Sequence, residues 1–419
     1  MQGAKSYDID KKVVYNAFMK VKSNGGGAGI DGVSIEKYEG NLKSNLYKLW
    51  NRMSSGSYFP KPVKLVEIPK TNGGKRPLGI PTIEDRVAQM TAALLMLPKI
   101  EPHFHDDSYG YRPNRSAHDA IAKAQERCWK YAWVLDMDIS KFFDTIDHRL
   151  LMKAVGKHIN EKWILLYIER WIKVSYEKVD GERTVRNQGV PQGSVIGPVL
   201  ANLFLHYGFD KWMTIKHPSI LFERYADDTI CHCRTEEEAR KLLESVRARL
   251  RECKLELNEE KTKIVYCKTS RRKLNYPNVM FDFLGFTFRP RRAIDKRHGE
   301  SFTSFLPAIS KKSAQEVRDK IKAWDLYRFQ QFKLPVIAKM KNPIIAGWVN
   351  YYGKFGRTEF LKVMNYLNKT IARWAKKKFK GLKVGKGRSI YWLADVAQKN
   401  RTLFYHWKQG FIPYQRSCQ

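Results

Sequence analysis

The stretch Phe222-Glu223-Arg224-Tyr225-Ala226-Asp227-Asp228-Thr229-Ile230-Cys231 decides the fold of this chain. Two adjacent carboxylates, Asp227 and Asp228, interrupt a run of aromatic and β-branched residues that favour strands. Because Asp tolerates tight turns, the pattern predicts a β-hairpin with these two acids at its tip. Vicinal carboxylates repel each other, and a hard cation such as Mg²⁺ relieves the repulsion by accepting oxygen ligands. Alone, such a pair is more typical of a solvated turn than of a metal site.

A second pair of acids lies upstream, in Trp133-Val134-Leu135-Asp136-Met137-Asp138-Ile139. Apolar residues at every second position predict a half-buried strand, and Asp136 and Asp138 share its other face. One such acid is usually explained by a local hydrogen bond. Together with the Asp227-Asp228 pair, however, the acids have the composition of a two-metal site, in which divalent ions roughly 3.5 to 4 Å apart activate an attacking oxygen and stabilise the leaving one. Periodicity does not choose between Asp136 and Asp138.

The composition is that of a folded protein with a strongly basic surface. The chain has 419 residues, 43% of them hydrophobic, and a net charge of +35 from 77 Lys and Arg against 42 Asp and Glu. The length predicts two or three subdomains, and the charge predicts an anionic partner, with nucleic acid favoured over an anionic membrane surface. The start has no apolar signal core, and no stretch is long enough to cross a bilayer, so we expect a cytoplasmic protein. The six cysteines show neither zinc spacing nor a disulfide framework.

Two cations flank a predicted turn at Asn72-Gly73. This dipeptide separates two apolar runs, residues 63–70 and 75–81, which is a strong hairpin signal. Lys70 and Arg76 would lie on opposite strands, where together they could hold one anion such as a triphosphate. Taken singly, each is more typical of solvated surface charge. The glycine run that ends at Gly29 is not a Walker loop, because Ile30 follows it where Lys is required.

Two loops have the composition of nucleotide contacts. Asp106-Asp107-Ser108-Tyr109-Gly110-Tyr111-Arg112-Pro113-Asn114-Arg115 interleaves tyrosines with arginines, which can stack on bases and pair with phosphates, although such loops often pack on their own domain. Residues 188–198 form a Gly-, Pro- and Gln-rich loop that leads into a predicted helix from Pro198 to Trp212. Its glycines would let the backbone approach a bound nucleotide, and the alternative is a plain connecting loop.

The elements around the acids follow the order strand, helix, hairpin, helix, strand. Thr235 and Glu238 form a capping box that begins the second helix, and Leu255-Glu256-Leu257 supplies the last strand. This βαββαβ order predicts one antiparallel sheet that carries the acids.

From about Arg289 onward the pattern predicts a basic helical bundle. The first helix would begin with a capping box at Ser313 and Glu316, the second would begin at Asn342-Pro343, and the third would carry an apolar stripe ending at Trp374. Lysines follow the third helix. Cation runs are usually solvated faces, but the net charge favours an RNA-contacting face here.

Several motifs together closely resemble one known family. Asp138-Ile139-Ser140-Lys141-Phe142-Phe143-Asp144, Pro191-Gln192-Gly193, Tyr225-Ala226-Asp227-Asp228 and Phe283-Leu284-Gly285-Phe286 have the order and spacing of reverse transcriptases. With Lys75-Arg76-Pro77-Leu78-Gly79-Ile80-Pro81 and Tyr109-Gly110-Tyr111-Arg112-Pro113, the chain resembles bacterial group II intron-encoded reverse transcriptases and maturases over nearly its whole length. The resemblance implies an α+β right-hand polymerase with fingers, a ferredoxin-like βαββαβ palm and an α-helical thumb or maturase domain.

The same resemblance implies a division of the chain into five parts. These are an N-terminal extension over residues 1–62, fingers over 63–132, a palm with fingers insertions over 133–290, a thumb or X (maturase) domain over 291–380, and a basic C-terminal segment over 381–419. Many relatives carry a C-terminal HNH endonuclease, rich in His and paired Cys, and this sequence ends without one. Second-strand cleavage of target DNA is therefore not expected.

The resemblance also assigns roles in catalysis. Asp138, Asp227 and Asp228 become the catalytic carboxylates and the ligands of two Mg²⁺ ions, for which Mn²⁺ can substitute, and Asp136 becomes a neighbour on the same face. Lys261 or Lys263 would be the general acid for the departing pyrophosphate. The residues that hold the incoming deoxynucleoside triphosphate would be Lys70, Arg76, Phe143 and Gln192, and Phe143 would be the steric gate against a 2′-hydroxyl.

Nucleic-acid contacts complete the assignment. The primer grip would consist of Phe283, Leu284 and Gly285. The RNA-binding cations would be Arg112, Arg115, Arg373, Lys376, Lys377 and Lys378. The predicted partners are an RNA template, a DNA primer and structured intron RNA.

The predicted function is an RNA-directed DNA polymerase that also binds its group II intron RNA as a splicing maturase, in a bacterial cytoplasm. One rival is an RNA-directed RNA polymerase with a similar palm, which the motifs disfavour. The other is an RNA-binding maturase without significant polymerase activity. The intact carboxylates argue against loss of polymerase activity but not against a second role.

Overall fold

The computed structural model describes residues 6–69, 74–178, 180–295, 298–384 and 387–413. The chain forms two compact units. The first unit contains Met1–Ala120 and Leu135–Ile264, and the second contains Ile121–Val134 and Val265–Gln419. Among the described residues, no helix has the length and apolar character needed to span a membrane.

The helices of the first unit begin at the polar residues that the sequence supplies. Asp10, Ser34, Thr82, Asp147 and Thr235 each accept a backbone N–H from the first turn of a helix. The helices are α1 (Lys11–Asn24), α2 (Ile35–Glu39), α3 (Leu42–Ser55), α4 (Ile83–Ile100), α5 (Ala117–Lys130), α6 (Phe142–Thr145), α7 (His148–Val155), α8 (Lys162–Ile172), α9 (Gly197–Leu205), α10 (Lys211–Lys216) and α11 (Glu236–Glu252). Of these, α5 continues into the second unit.

A four-stranded sheet carries the predicted acids. Its strands are β3 (Trp133–Met137), β6 (Leu221–Tyr225), β7 (Asp228–Cys233) and β8 (Lys263–Tyr266), in the order β6-β7-β3-β8. With the intervening helices, this order is that of a ferredoxin-like βαββαβ fold, which confirms the predicted palm. The predicted last strand at Leu257 is reduced to one bridge with Ile139, and β8 begins six residues later.

A second four-stranded sheet in the first unit contains the predicted hairpin near residue 72. Its strands are β1 (Val63–Pro69), β2 (Lys75–Ile80), β4 (Tyr176–Glu177) and β5 (Arg183–Thr184), in the order β2-β1-β4-β5. The antiparallel register pairs Lys64 with Ile80 and Pro69 with Lys75, which confirms the hairpin. The turn itself, with Lys70, lies outside the described residues.

The predicted helix from Pro198 to Trp212 is interrupted. It begins as α9 with Pro198 in its first turn, then widens into a π-helical segment at His206–Asp210, and resumes as α10. A π segment holds one residue more than an α-turn, and such segments occur mostly as single turns, often at functional sites. The apolar composition of α9 gives no sign of the interruption.

The described part of the second unit contains, besides the end of α5, a three-stranded sheet and the helices α12 to α16. The strands are β9 (Phe281–Phe283), β10 (Phe286–Ile294) and β11 (Ser301–Ile309), in the order β11-β10-β9. The helices are α12 (Lys311–Ala323), α13 (Leu334–Tyr352), α14 (Arg357–Lys378), α15 (Arg388–Lys399) and α16 (Tyr405–Lys408).

Two predicted helix starts in this unit are wrong. Helix α12 is capped by Ser310, whose hydroxyl accepts the N–H of Ser313, so the cap lies three residues before the predicted one. Helix α13 begins at Leu334 with Pro335 in its first turn and continues through Pro343. Pro343 lies on an exposed face of the helix, where water can satisfy the carbonyl that loses its partner.

The C-terminal segment is folded rather than only basic. Leu393 of α15 and Phe404, Trp407 and Phe411 are at most 1% exposed and belong to the hydrophobic core of the second unit. The side chain of Asn368 ties this segment to α14 by donating to the carbonyl of Phe411 and accepting from Trp407 Nε1. Residues 388–413 are therefore part of the bundle that the sequence predicted to end near residue 380.

Candidate active site

The hairpin β6-β7 carries Asp227 and Asp228. Tyr225 and Asp228 are the closing pair, so the two-residue turn is Ala226-Asp227 and lies one residue earlier than predicted. Ala226 has a φ of 58°, which few residues other than glycine adopt. Asp227 thus lies in the turn and Asp228 begins β7, and both side chains are half-buried.

A buried arginine supports this turn. Arg224 on β6 and Asp210 are both 0% exposed, and the guanidinium donates to both carboxylate oxygens at 2.6 and 2.5 Å. The same guanidinium donates to the carbonyl of Ala226 at 2.9 Å and to the side chains of Asn202 and Ser108 at 3.1 and 2.8 Å. Because Arg presents a rigid fork of donors, one side chain fixes the turn, the π segment and a loop together.

The residues that make this network possible are close to the turn in space but distant in sequence. Asp210 is the last residue of the π segment. Gly110 lies against the turn, and a Cβ there would be 2.4 Å from the Ala226 nitrogen and 3.0 Å from the Tyr225 carbonyl carbon. Any side chain at residue 110 would therefore push the Ala226-Asp227 turn out of place.

A second buried pair lies within the same hairpin. His232 Nε2 on β7 is 2.5 Å from Glu223 Oε2 on β6, and both side chains are 0% exposed. The pair joins the two strands of the hairpin through side chains as well as through the ladder. Both networks place polar groups where the alternating pattern of a strand predicts only packing.

Asp138 follows the last residue of β3, the strand that neighbours β7 in the sheet. In a ferredoxin-like fold these two strands are antiparallel, which brings the end of β3 toward the start of β7, the strand that Asp228 begins. The backbone of Asp138 accepts the N–H of Asn258 at 2.8 Å, and its N–H lies 3.5 Å from Thr262 Oγ1. Asp136, also half-buried, is a residue of β3 itself.

The two lysines that the sequence left as alternatives differ in position. The ammonium of Lys261 lies 3.0 Å from Asp138 Oδ2. Lys263 is the first residue of β8 and is exposed. Lys261 therefore lies at the acids, and this contact distinguishes it from Lys263.

The acids have the right chemistry for a hard divalent cation. Asp138, Asp227 and Asp228 offer only carboxylate oxygens, which Mg²⁺ prefers. Within the described ranges, no three His, Cys, Asp or Glu side chains converge closely enough to form a complete metal site. Mg²⁺ is usually held by one or two carboxylates together with substrate phosphates rather than by an all-protein cage.

The short helix α6, which contains Phe143, is attached to the loop that contains Gln192. Phe142 is 2% exposed and packs in the core, as predicted, whereas Phe143 is half-buried. The carbonyl of Phe143 accepts the N–H of Val190 at 2.7 Å, which joins the Asp138 loop to the loop that contains Gln192. Gln192 Nε2 donates to Asp144 Oδ2 at 3.1 Å.

The Gln192 loop is also attached to the β1-β2 hairpin. The N–H of Gly79 on β2 donates to the carbonyl of Gln192 at 2.7 Å, and Gln192 N donates to the Tyr176 hydroxyl at 3.3 Å. Burial raises the pKa of Tyr176 above its usual value, so the hydroxyl stays protonated. Arg76 lies opposite Ile68 in the register of this hairpin, and Lys70 lies outside the described residues.

Arg112, predicted to contact RNA, makes internal contacts in the first unit instead. The Arg112 side chain is only 5% exposed, and its guanidinium donates to Glu101 and to the carbonyls of His105 and Ser108. Arg112 therefore holds its own loop together, which is the packing alternative for this loop. Arg115 lies 3.0 Å from Asp106 and is partly exposed.

The predicted primer grip forms a tight turn in the second unit. Phe283 ends β9, Phe286 begins β10, and Leu284 and Gly285 between them have φ values of 52° and 79°. The Tyr351 hydroxyl donates to the carbonyl of Leu284 at 2.9 Å, and the carbonyl of Gly285 accepts the N–H of Ser310 at 3.0 Å.

The predicted cations of α14 differ in how exposed they are. Arg373 and Lys376 are exposed, and the ammonium of Lys377 lies 3.3 Å from the centre of the Tyr327 ring. Lys378 was also predicted to contact RNA, but its ammonium donates to the backbone carbonyls of Gln330 and Phe332 instead. It fixes a loop of the bundle, and an RNA phosphate would have to displace both carbonyls.

Two residues of the supporting networks had a sequence signal that was missed. Arg224 lies in a strand of aromatic residues, where a buried charged side chain requires a partner. Asp144 lies in the motif from which Phe143, one residue earlier, was assigned as a nucleotide contact. Asp210 and Asn202 had no such signal, because polar residues on a helix ordinarily face water.

Comparisons with known proteins agree with this geometry. Residues 68–288 match the family model described as "Reverse transcriptase (RNA-dependent DNA polymerase)". This match covers more than half of the chain, and the chain therefore belongs to the reverse transcriptase family, whose members use divalent metal ions. Residues 314–392 match the "Group II intron, maturase-specific domain", so the second unit carries a maturase domain.

Individual relatives cover different shares of the chain. It is 33% identical over 310 residues to "Protein YkfC" of Escherichia coli K12, covering 65% of this chain and 77% of that protein. It is 32% identical over 202 residues to "Group II intron-encoded protein LtrA" of Lactococcus lactis, covering 48% of this chain but only 33% of LtrA. A telomerase structure from Candida albicans aligns over 88% of this chain and 70% of its own with a TM-score of 0.47 and 12% identity, too low to support the fold by itself.

Proposed function

We propose that the chain copies RNA into DNA with two Mg²⁺ ions held by Asp138, Asp227 and Asp228. The observation that carries the proposal is the sheet order β6-β7-β3-β8, which brings the end of β3 to the turn of the β6-β7 hairpin. When bound, the ions lower the charge on the reacting oxygens and orient them for in-line displacement. The match to the family model described as an RNA-dependent DNA polymerase supports the proposal that the template is RNA.

The chain's own residues supply the other steps. Lys261, 3.0 Å from Asp138, is positioned to give a proton to the departing pyrophosphate. Lys70 and Arg76 would hold the triphosphate. The half-buried ring of Phe143 would contact the sugar and exclude a ribose 2′-hydroxyl, so that deoxynucleotides are used.

The same proposal gives the second unit a role with RNA. Its match to the maturase-specific domain and the exposed cations Arg373 and Lys376 support binding of structured group II intron RNA. A net charge of +35 supports a chain that stays bound to nucleic acid in a bacterial cytoplasm. A splicing maturase without polymerase activity is the second candidate function. The match to the maturase-specific domain favours it.

Primer extension tests the proposal. The purified chain is given an RNA template, a DNA primer, deoxynucleotides and Mg²⁺, in parallel with the Asp227→Asn variant. We expect extension by the parent and a loss of at least about 100-fold in the variant, because a charged group is removed where charge develops in the transition state.

RNA binding is the control for this experiment. It depends on distributed cations, so both proteins should bind the same RNA with the same affinity. No extension by a parent that binds RNA would favour the maturase without polymerase activity. Equal extension by parent and variant would show that Asp227 is not a catalytic carboxylate.

A further inference from the structure

The side-chain amide of Gln192 has a fixed direction. Its Nε2 donates to Asp144 Oδ2 at 3.1 Å, and a carboxylate can only accept hydrogen bonds. The amide nitrogen must therefore face Asp144, and the carbonyl oxygen Oε1 must point away from it. Without Asp144, the two ends of the amide would be nearly equal in size and could exchange by rotation about the last side-chain torsion.

The backbone of Gln192 is held independently of this contact. Its carbonyl accepts the N–H of Gly79, and its N–H donates to the Tyr176 hydroxyl. The next residue, Gly193, has a φ of 103°, and a Cβ there would be 2.4 Å from the Gly79 carbonyl oxygen. Since the loop is fixed against β2, Asp144 mainly determines which end of the Gln192 side chain faces outward.

Asp144 is itself held at the same junction. It follows Phe143, whose carbonyl accepts the N–H of Val190. A Cβ at Gly189 would be 2.6 Å from the carbonyl oxygen of Asp144, so α6 and the loop that contains Gly189 meet with no space between them. The backbone of Asp144 is therefore fixed, and its carboxylate can leave Gln192 only by a change of side-chain rotamer.

We propose that Asp144 is a positioning residue that makes Gln192 present a hydrogen-bond acceptor, Oε1, to the incoming nucleotide. The inference rests on the proposed function, because Gln192 is a nucleotide contact only if the chain is a polymerase. The group it recognises is a donor on the nucleotide, a hydroxyl of the sugar or an amino group of the base. Asp144 acts through Gln192 and need not touch the substrate.

The test reverses the polarity of the pair. In Asp144→Asn the new amide can donate to Gln192 Oε1 as well as accept from Nε2, so the direction of the Gln192 amide is no longer fixed and its N–H groups can face the nucleotide. We expect the KM for the deoxynucleotide to rise by about twofold to about tenfold, the latter being the effect of one hydrogen bond exchanged for a mismatch, with kcat changed less than about threefold.

The double variant Asp144→Asn/Gln192→Glu restores the acceptor. The introduced asparagine amide would donate to one oxygen of the introduced glutamate, and the other oxygen would face the nucleotide where Oε1 was. Both substitutions keep the size of the side chains and the pair keeps its total charge, so the double variant should recover a KM within about threefold of the parent. Gln192→Glu alone sets two carboxylates against each other and should show the largest rise in KM.

Asp147→Asn is the matched control. Asp147 lies three residues further on, caps α7 and pairs with Lys254, and it makes none of the contacts to Gln192 described above. Its Asn variant keeps a good cap and should leave the KM unchanged.

The outcomes separate the inference from the proposed function. Recovery in the double variant supports the inference, because a purely structural role of Asp144 would make two substitutions worse than one. A double variant no better than Gln192→Glu overturns it, as does a Gln192→Glu variant with the KM of the parent. Failure of the parent to extend a primer would overturn the proposed function instead.

Discussion

Both the β6-β7 hairpin of the first unit and the β9-β10 hairpin of the second close with two residues and place a residue other than glycine at positive φ. In the first hairpin the residue is Ala226, with a φ of 58°, and in the second it is Leu284, with a φ of 52°. Such backbone costs about 1 to 2 kcal/mol per residue and persists only where the surroundings determine it.

The surroundings of the two turns differ in chemistry. Beneath Ala226 lie the fully buried Arg224 and Asp210, joined by two hydrogen bonds. Around Leu284 and Gly285 lie aromatic residues and hydroxyls, with the rings of Tyr351 and Tyr352 each 5.6 Å from that of Phe286.

This difference shows how each turn tolerates change. A buried charge network is directional and loses most of its value when one member is removed. Aromatic packing is less directional and can readjust at moderate cost. The turn that contains Asp227 is held by the less adaptable chemistry.

The largest effect is expected from Arg224→Met. Removal of the guanidinium leaves the Asp210 carboxylate buried without its main partner, which should lower the free energy of unfolding by about 3 to 5 kcal/mol. The Ala226 carbonyl also loses a donor, so primer extension should fall even where the protein remains folded. Urea unfolding and primer extension measure the two effects.

The double variant Arg224→Met/Asp210→Leu separates stability from positioning. It removes both charges, and replacing a buried pair by apolar residues often restores stability. We expect the free energy of unfolding to recover and extension to stay low, because Ala226 still lacks its donor. If extension recovers with stability, Arg224 only holds the fold together.

A pair of glycine substitutions compares the two turns directly. In Gly110→Ala the new Cβ would meet backbone atoms of Tyr225 and Ala226 at 2.4 to 3.0 Å, which cannot move without moving the turn. In Gly285→Ala the nearest atom is the Ser313 hydroxyl at 3.0 Å, and the main cost is the φ of 79°. We expect losses of about 1 to 3 kcal/mol and about 1 kcal/mol respectively, measured by urea unfolding.

Primer extension distinguishes the Gly110→Ala and Gly285→Ala variants more clearly than the free energy of unfolding does. Gly110→Ala should reduce extension more than it reduces binding of primer and template, since it displaces the catalytic turn. Gly285→Ala should change extension less. The reverse order would contradict the view that the catalytic turn is the less adaptable one.

The smallest effect is expected from glycine at the strained residues. Ala226→Gly relieves the left-handed backbone but gives the unfolded chain more freedom, so the free energy of unfolding should rise by less than about 1 kcal/mol. Leu284→Gly also removes a half-buried side chain and should not stabilise the protein. A stabilisation by Leu284→Gly larger than that by Ala226→Gly would show that strain at the second turn is the greater.

The sequence predicted most of what local patterns determine. The strand alternation around Asp138, the capping box at Thr235 and the order of the palm elements all appear in the structure, because side-chain period and end-capping act over a few residues. The family resemblance, rather than any pattern, chose Asp138 over Asp136.

What the sequence did not predict depends on partners distant in the chain. The Arg224 side chain meets Ser108, 116 residues away, and no local rule links the two. Arg112 was predicted to contact RNA because tyrosines and arginines alternate in its loop, and Lys378 because it belongs to a lysine run in a strongly basic chain. Both side chains instead donate to acceptors within the protein. Pro343 was interpreted as the start of a helix. The sequence pattern does not show that this residue lies on an exposed face of a longer helix, where water can satisfy the carbonyl that loses its partner.

The π segment at His206–Asp210 makes the winding of its helix as important as its composition. If the same residues formed an ordinary α-turn, every later side chain would turn by roughly 100° about the axis. Asp210 would then leave Arg224, although no residue of the network had been substituted. The pair between Arg224 and Asp210 therefore depends on the number of residues in one helical turn as well as on the two side chains themselves.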